Sequence, residues 1–111
     1  MSVAVEKLIS DFELEVLVEG EKDVKISVND INRPGLQLAG FYNYFAPERI
    51  QVIGKAEWSF LDDMGIELMR KRVNKYFSFN SKCVIMTRGL EPHSEFLKVA
   101  KKSKTWLLRT N

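Results

Sequence analysis

The 111-residue chain contains one cysteine, one histidine and three prolines. A single cysteine excludes a disulfide framework and any cysteine-rich zinc site. A lone histidine removes most metal sites and any catalytic design that needs two imidazoles. No apolar run approaches the roughly 20 residues that span a bilayer. The start, Met1 to Lys7, lacks the basic region and long apolar stretch of a signal peptide. There is no internal repeat and no Pro/Gly/Ser-rich linker, so nothing divides the chain. The phosphate-cradling loop Gly-x-x-x-x-Gly-Lys-Ser/Thr does not occur, and neither do Gly-x-Gly-x-x-Gly or Gly-x-Ser-x-Gly. On its own residues the chain reads as non-catalytic.

What is present suffices for a core. Hydrophobic residues make up 45% and aromatics 11%, which excludes disorder and fits one reduced, cytoplasmic domain. The net charge of +2 hides an asymmetry. Residues 1–63 hold six basic and twelve acidic groups, and residues 64–111 hold eleven basic and three acidic groups. A basic surface for an acidic partner is one reading. The other is that the two halves interleave and cancel, favoured because no run of five like charges occurs.

Periodicity orders the elements. Val5, Leu8, Ile9 and Phe12 form the stripe of an amphipathic helix with Ser2 as its N-cap. Leu14, Val16 and Val18, then Val24, Ile26 and Val28, alternate with polar residues. The polar link Glu19 to Asp23 between them suggests an antiparallel hairpin. Asn29 to Gly35 reads as a loop, Leu36 to Ala39 as a short helix ended by Gly40, and Ile50 to Ile53 as a strand stopped by Gly54. Ala56 to Asp62 should be helical with Phe60 and Leu61 inward. A second helix carries Ile66, Met69, Val73, Tyr76 and Phe77 on its buried side. Cys83 to Met86 reads as a strand covered on both faces. Pro92 suits a first helical turn, with Phe96, Leu97 and Ala100 inward, and Trp106 to Leu108 is a last strand. The expected fold is one α/β domain with a mixed sheet, an N-terminal antiparallel hairpin and flanking helices.

Few residues offer chemistry. His93 reads as an exposed polar residue at a helix start, Cys83 as a core residue whose thiolate is suppressed, and Asp62-Asp63 as a solvated helix end. Two loops stand out as candidate ligand or interdomain contacts. In one, Asn32 and Arg33 are followed by Pro34 and Gly35; in the other, Arg88 and Gly89 lie between a strand and a helix. Helix N-termini attract anions, and arginine forks phosphate. The competing reading is that Gly35 and Gly89 supply positive φ and that each arginine caps a carbonyl or pairs with a carboxylate. Asn32 and Arg33 are expected to hold their loop to the sheet rather than to touch a substrate. The cluster Phe41, Tyr42, Tyr44 and Phe45 has no interleaved basic residues, so packing is favoured over base stacking. Lys98, Lys101, Lys102 and Lys104 suit a solvated helix end, and nucleic acid is disfavoured.

The stretch Asp30-Ile31-Asn32-Arg33-Pro34-Gly35-Leu36-Gln37-Leu38-Ala39-Gly40-Phe41, with Tyr44-Phe45 and Arg49 to Lys55, resembles the amino-terminal domain of bacterial HPr kinase/phosphorylase. The resemblance continues through Glu57 to Leu61, Thr87 to Pro92 and Leu107 to Thr110, and spans essentially the whole chain. It implies a cytoplasmic sensor of carbon supply that phosphorylates a serine of HPr, the phosphocarrier of the sugar phosphotransferase system. That activity uses ATP and Mg²⁺, and phosphorolysis reverses it. The family's P-loop, catalytic aspartate and metal ligands lie in a carboxy-terminal kinase domain, so residues 1–111 would be the N-terminal domain alone, with no catalytic residue, cofactor or metal of its own. Its implied partners are HPr, its own kinase domain and further copies in a hexamer. The resemblance also implies a fold similar to the uridine-nucleotide-binding domain of Mur ligases. The alternatives are a stand-alone module sensing a phosphorylated metabolite or nucleotide, and an enzyme in its own right.

Overall fold

The computed structural model describes residues 2–111 and, for Val28 and Asn29, the backbone only; the inward place expected for Val28 lies outside the described residues. The chain runs β1 (Ser2–Ala4), α1 (Val5–Phe12), β2 (Glu15–Val18), β3 (Lys25–Asn32), α2 (Gly35–Leu38), β4 (Arg49–Ile53), α3 (Lys55–Asp63), α4 (Ile66–Phe77), β5 (Cys83–Met86), α5 (Ser94–Ser103) and β6 (Trp106–Arg109). The strands form one mixed sheet in the order β1-β3-β4-β5-β6-β2. β3, β4, β5 and β6 are parallel, and the two outermost strands are antiparallel to their neighbours.

The expected hairpin does not form. β2 pairs with β6, Glu15 facing Arg109 and Val16 facing Leu108, while β3 lies between β1 and β4. Alternation assigns a strand's faces but not its partner. The link after β2 is held elsewhere: Glu21 N–H donates to the Lys104 carbonyl at 3.1 Å, and Trp106 Nε1 donates to the Glu21 carbonyl at 2.8 Å. A Cβ on Gly20 would collide with Trp106 backbone and ring atoms at 2.5–2.8 Å, so only glycine lets the link pass the amino end of β6. Four strand spacings, about 19 Å, lie within the reach of an extended link from Val18 to Lys25. The acidic and basic halves of the chain thereby interleave in one sheet.

Smaller corrections follow from the same pairing. Ser2 is not an N-cap, because Ser2 to Ala4 pair with Lys25 to Ser27 and Ala4 takes the cap position. The region expected as a loop is strand through Asn32. Pro92 precedes α5, which starts at Ser94 with His93 as N-cap. Phe12, Phe60 and Ile66, expected inward, are exposed.

Each sheet face has its own core. α2 to α5 cover one face, where Leu61, Tyr76, Phe77, Met86, Phe96 and Leu107 are buried. α1 lies on the other, packing Val5 and Leu8 on Ile26, Ile50, Cys83, Ile85 and Leu108. A buried amide network crosses the first core. Gln51 is fully buried in β4; its Oε1 accepts from Asn32 Nδ2 at 2.7 Å and from the Tyr76 hydroxyl at 3.1 Å. Its Nε2 donates to the Ala46 and Arg49 carbonyls at 3.2 and 3.1 Å. Asn32 also reaches Gln37 Oε1 at 3.1 Å, and Gln37 Nε2 reaches the Phe41 carbonyl. Burial raises the Tyr76 phenol well above its ordinary range, so it stays a donor. Gln51→Met keeps volume but strands these partners in the core. It is expected to cost about 2–3 kcal/mol, a fall of roughly 10–20 °C in melting temperature on a calorimetric scan.

Candidate functional site

The parallel strands β3, β4 and β5 end together, and the residues that follow them surround one cleft. After β3 the chain turns at Arg33-Pro34, after β4 it passes Gly54 into α3, and after β5 it turns at Thr87-Arg88-Gly89-Leu90. Arg33, Lys55 and Arg88 line a cavity of about 410 Å³ together with Ile31, Val52, Ala56 and Thr87. Open α/β sheets offer ligand crevices at this carboxyl end of their strands. The first turn of α3 adds backbone N–H groups without intrahelical acceptors.

Each cation is placed by a different device. Arg33 Nη2 donates to Glu57 Oε1 at 2.9 Å. The same buried oxygen accepts from Gly54 N–H at 2.7 Å, half of a capping box whose reciprocal half a glycine cannot supply. A Cβ on Gly54 would stand 2.5 Å from Arg33 Nη2, so this glycine gives the guanidinium its seat. Arg88 has φ +53° and Gly89 φ +66°, and Leu90 N–H donates to the Thr87 carbonyl at 3.1 Å. Positive φ at both central residues marks a type I′ turn. Arginine tolerates that conformation poorly, yet Arg88 is exposed and, among the described residues, its guanidinium has no hydrogen bond or carboxylate. Lys55 is likewise free among the described residues. Three cations against the single carboxylate of Glu57 leave a cleft with about two positive charges.

Two of the expected site residues therefore meet and three do not. Arg33 and Arg88 converge. Asn32, the last residue of β3 rather than part of a loop, turns inward and donates to Gln51 and Gln37, which ties α2 to the sheet. Gly35 does not supply positive φ; it opens α2 beside a shallow recess lined by Ala39, Ala56 and Phe60. Gly89 takes positive φ and holds its N–H on the Thr110 carbonyl at 2.8 Å. Lys55, Glu57 and Gln51 belong to no recognisable sequence motif. The available signal was a lone amide in an otherwise Ile/Val strand and a glutamate three residues after a strand-ending glycine.

The family model described as HPr Serine kinase N terminus matches residues 3–111. The chain belongs to this family. It is 75% identical over 111 residues to HPr kinase/phosphorylase of Clostridium beijerinckii, covering all of this chain and 37% of that relative. It is 70% identical over 110 residues to the HPr kinase/phosphorylase of a Clostridium botulinum strain, covering 99% of this chain and 36% of the relative. The chain thus spans little more than a third of the curated relatives it matches. Among solved structures, the CBS and DRTGG domains of the regulatory region of Clostridium perfringens pyrophosphatase, complexed with the activator diadenosine tetraphosphate, align with TM-score 0.64 at 14% identity. The alignment covers 96% of this chain and 40% of that one, and shows a shared fold.

Other residues in this HPr kinase N-terminal domain have structural partners. His93 is not exposed as expected: its side chain is 13% accessible, stacks on Trp58 at 4.7 Å and lies 3.2 Å from Asp62 Oδ1. Burial pushes the Cys83 thiol up to about 12, which suppresses its thiolate. Tyr42 and Phe45 pack with Phe79, Tyr42 stacking on it at 4.1 Å, whereas Phe41 and Tyr44 are exposed. Among the described residues no group of three or more His, Cys, Asp and Glu could hold a metal ion. The cleft's one carboxylate, Glu57, is already held by Arg33 and Gly54.

Arg33→Ala is expected to lower the melting temperature by several degrees, about 1 kcal/mol. Glu57→Gln should cost less in the Arg33→Ala background than alone, because the two share one interaction. Strictly additive melts would show that the pair contributes nothing.

Proposed function

We propose that this domain is the non-catalytic regulatory part of a HPr serine kinase, and that it acts by holding a phosphate-bearing anion between Arg33, Lys55 and Arg88. The convergence of three cations from three successive strand ends on one cleft supports this reading. A phosphate monoester carries about −1.5 to −2 charges near neutral pH, which matches the excess charge of the cleft. Arg88 offers a forked donor, Lys55 a mobile point charge, and the first turn of α3 its N–H groups. Arg33, anchored on Glu57, forms the fixed wall. A strained arginine without a carboxylate is a costly way to build a turn, and ligand binding repays that cost.

In the longer protein, a carboxy-terminal kinase domain transfers phosphate from ATP with Mg²⁺ to a serine of HPr and removes it by phosphorolysis. The setting is cytoplasmic and the assembly hexameric. Of the described residues, no helix is long and apolar enough to cross a membrane. The domain's part is to couple ligand occupancy to that activity. The likeness to the uridine-nucleotide-binding domain of Mur ligases belongs to the same proposal, since a nucleotide presents the required phosphates.

Two measurements test this. A thermal-shift panel of sugar phosphates and nucleotides should contain a compound that stabilises the domain by about 2.7 kcal/mol at one hundred times its Kd. Arg88→Gly relaxes the turn and removes the cation, so the melt should hold while the ligand shift disappears. A flat panel, or an undiminished shift in the variant, overturns the anion reading. Separately, the purified 111 residues with ATP and Mg²⁺ should transfer no phosphate to HPr, and measured transfer would make the domain catalytic.

A further inference from the structure

The two faces of the sheet are unequally covered. Four helices pack on one, whereas the other carries only the eight residues of α1. Beside α1 lies a second cavity, about 420 Å³, lined by Phe12, Ile31, Ile50, Val52, Ile85 and Thr110. Its rim is apolar and open: Phe12 is 69% exposed and Ile31 55%. Exposed apolar surface of this kind marks a place where something else packs.

We infer that this groove receives the segment that follows the position of Asn111 in the longer members of the family, laid across the sheet by its own apolar side chains. The matched family model describes the N terminus, and nearly two thirds of the C. beijerinckii relative lies outside the matched part. Thr110 lines the groove, and the backbone and the preceding Arg109 hold the chain at this point. Thr110 N–H donates to the Met86 carbonyl at 2.9 Å, and its own carbonyl accepts from Gly89. Arg109 grips both carboxylate oxygens of Glu15 and a third oxygen of Glu91, all within 3.1 Å. In the longer family members a segment leaving Thr110 starts beside the groove, and closing so short a loop costs little entropy. A covalently attached segment also has a high effective concentration, which compensates for a small contact. A second copy lacks that advantage, and a groove of so few side chains falls far short of the 20–30 residues per side of a stable interface.

The test uses the full-length C. beijerinckii protein with this chain in place of its matching 111 residues, followed by amide hydrogen exchange. The first ten to fifteen amides after position 111 should exchange slowly. Phe12→Asp combined with Ile31→Asp should speed them about tenfold while the α4 and α5 amides keep their rates, which shows that the domain remains folded. Equal rates with and without the substitutions overturn the inference. Protection that changes with protein concentration would assign the face to a second copy, and overturns it equally.

Discussion

The domain hangs on one side-chain amide. Gln51 sits in the middle of the sheet, on the face that is otherwise aliphatic and aromatic, with its four hydrogen bonds all made. Through them β4 is tied to the end of β3, to α4 and to the turn before β4. A satisfied buried amide accepts few alternative arrangements, because each alternative leaves a polar group dry and unpaired. It thus sets where Asn32 stands, and Arg33, the next residue, leaves the sheet from a fixed point. Glu57 then holds the guanidinium from the α3 side. The cleft is rigid on this wall because a network inside the core reaches its edge.

Much of this was legible in the sequence, and the losses have physical reasons. Helix stripes such as Met69, Val73, Tyr76 and Phe77, and the continuous strand Cys83 to Met86, follow from periodicity alone. Partner choice does not: β2 and β3 alternate as hairpin strands should, yet Gly20 and Trp106, residues with no periodic signature, send them to opposite regions of the sheet. Arg33 and Arg88 were picked out as separate loop residues. Their convergence depends on β3, β4 and β5 being parallel neighbours, a fact of topology. Lys55 carries no motif of its own and lines the same cavity by the same topology. The N-terminal domain family, by contrast, could be read directly, from the stretch around Asn32-Arg33-Pro34-Gly35.

The cleft and the apolar groove are not independent places. Both are lined by Ile31 and Val52, one from β3 and one from β4, so a single layer of side chains separates charged from apolar surroundings. Thr110 adds a second connection: its hydroxyl lies 3.4 Å from the Arg88 amide while the residue lines the groove. Packed interiors transmit small displacements well. A displacement of Ile31 or Val52 would therefore reshape the lining of both.

The pairing of β2 with β6 also has a meaning for biosynthesis. Glu15 and Arg109 are ninety-four positions apart, so the second strand to be made waits for the last one. At about 5–20 residues per second, a nascent chain carries Glu15 to Val18 as an unpaired strand for several seconds, with Trp106 not yet present to seat Gly20. The local helices and the β3-β4-β5 ladder can assemble in that interval, but this edge closes only at the end. The domain is thus built to complete this edge late, with Trp106 to Arg109 locking its second strand in place.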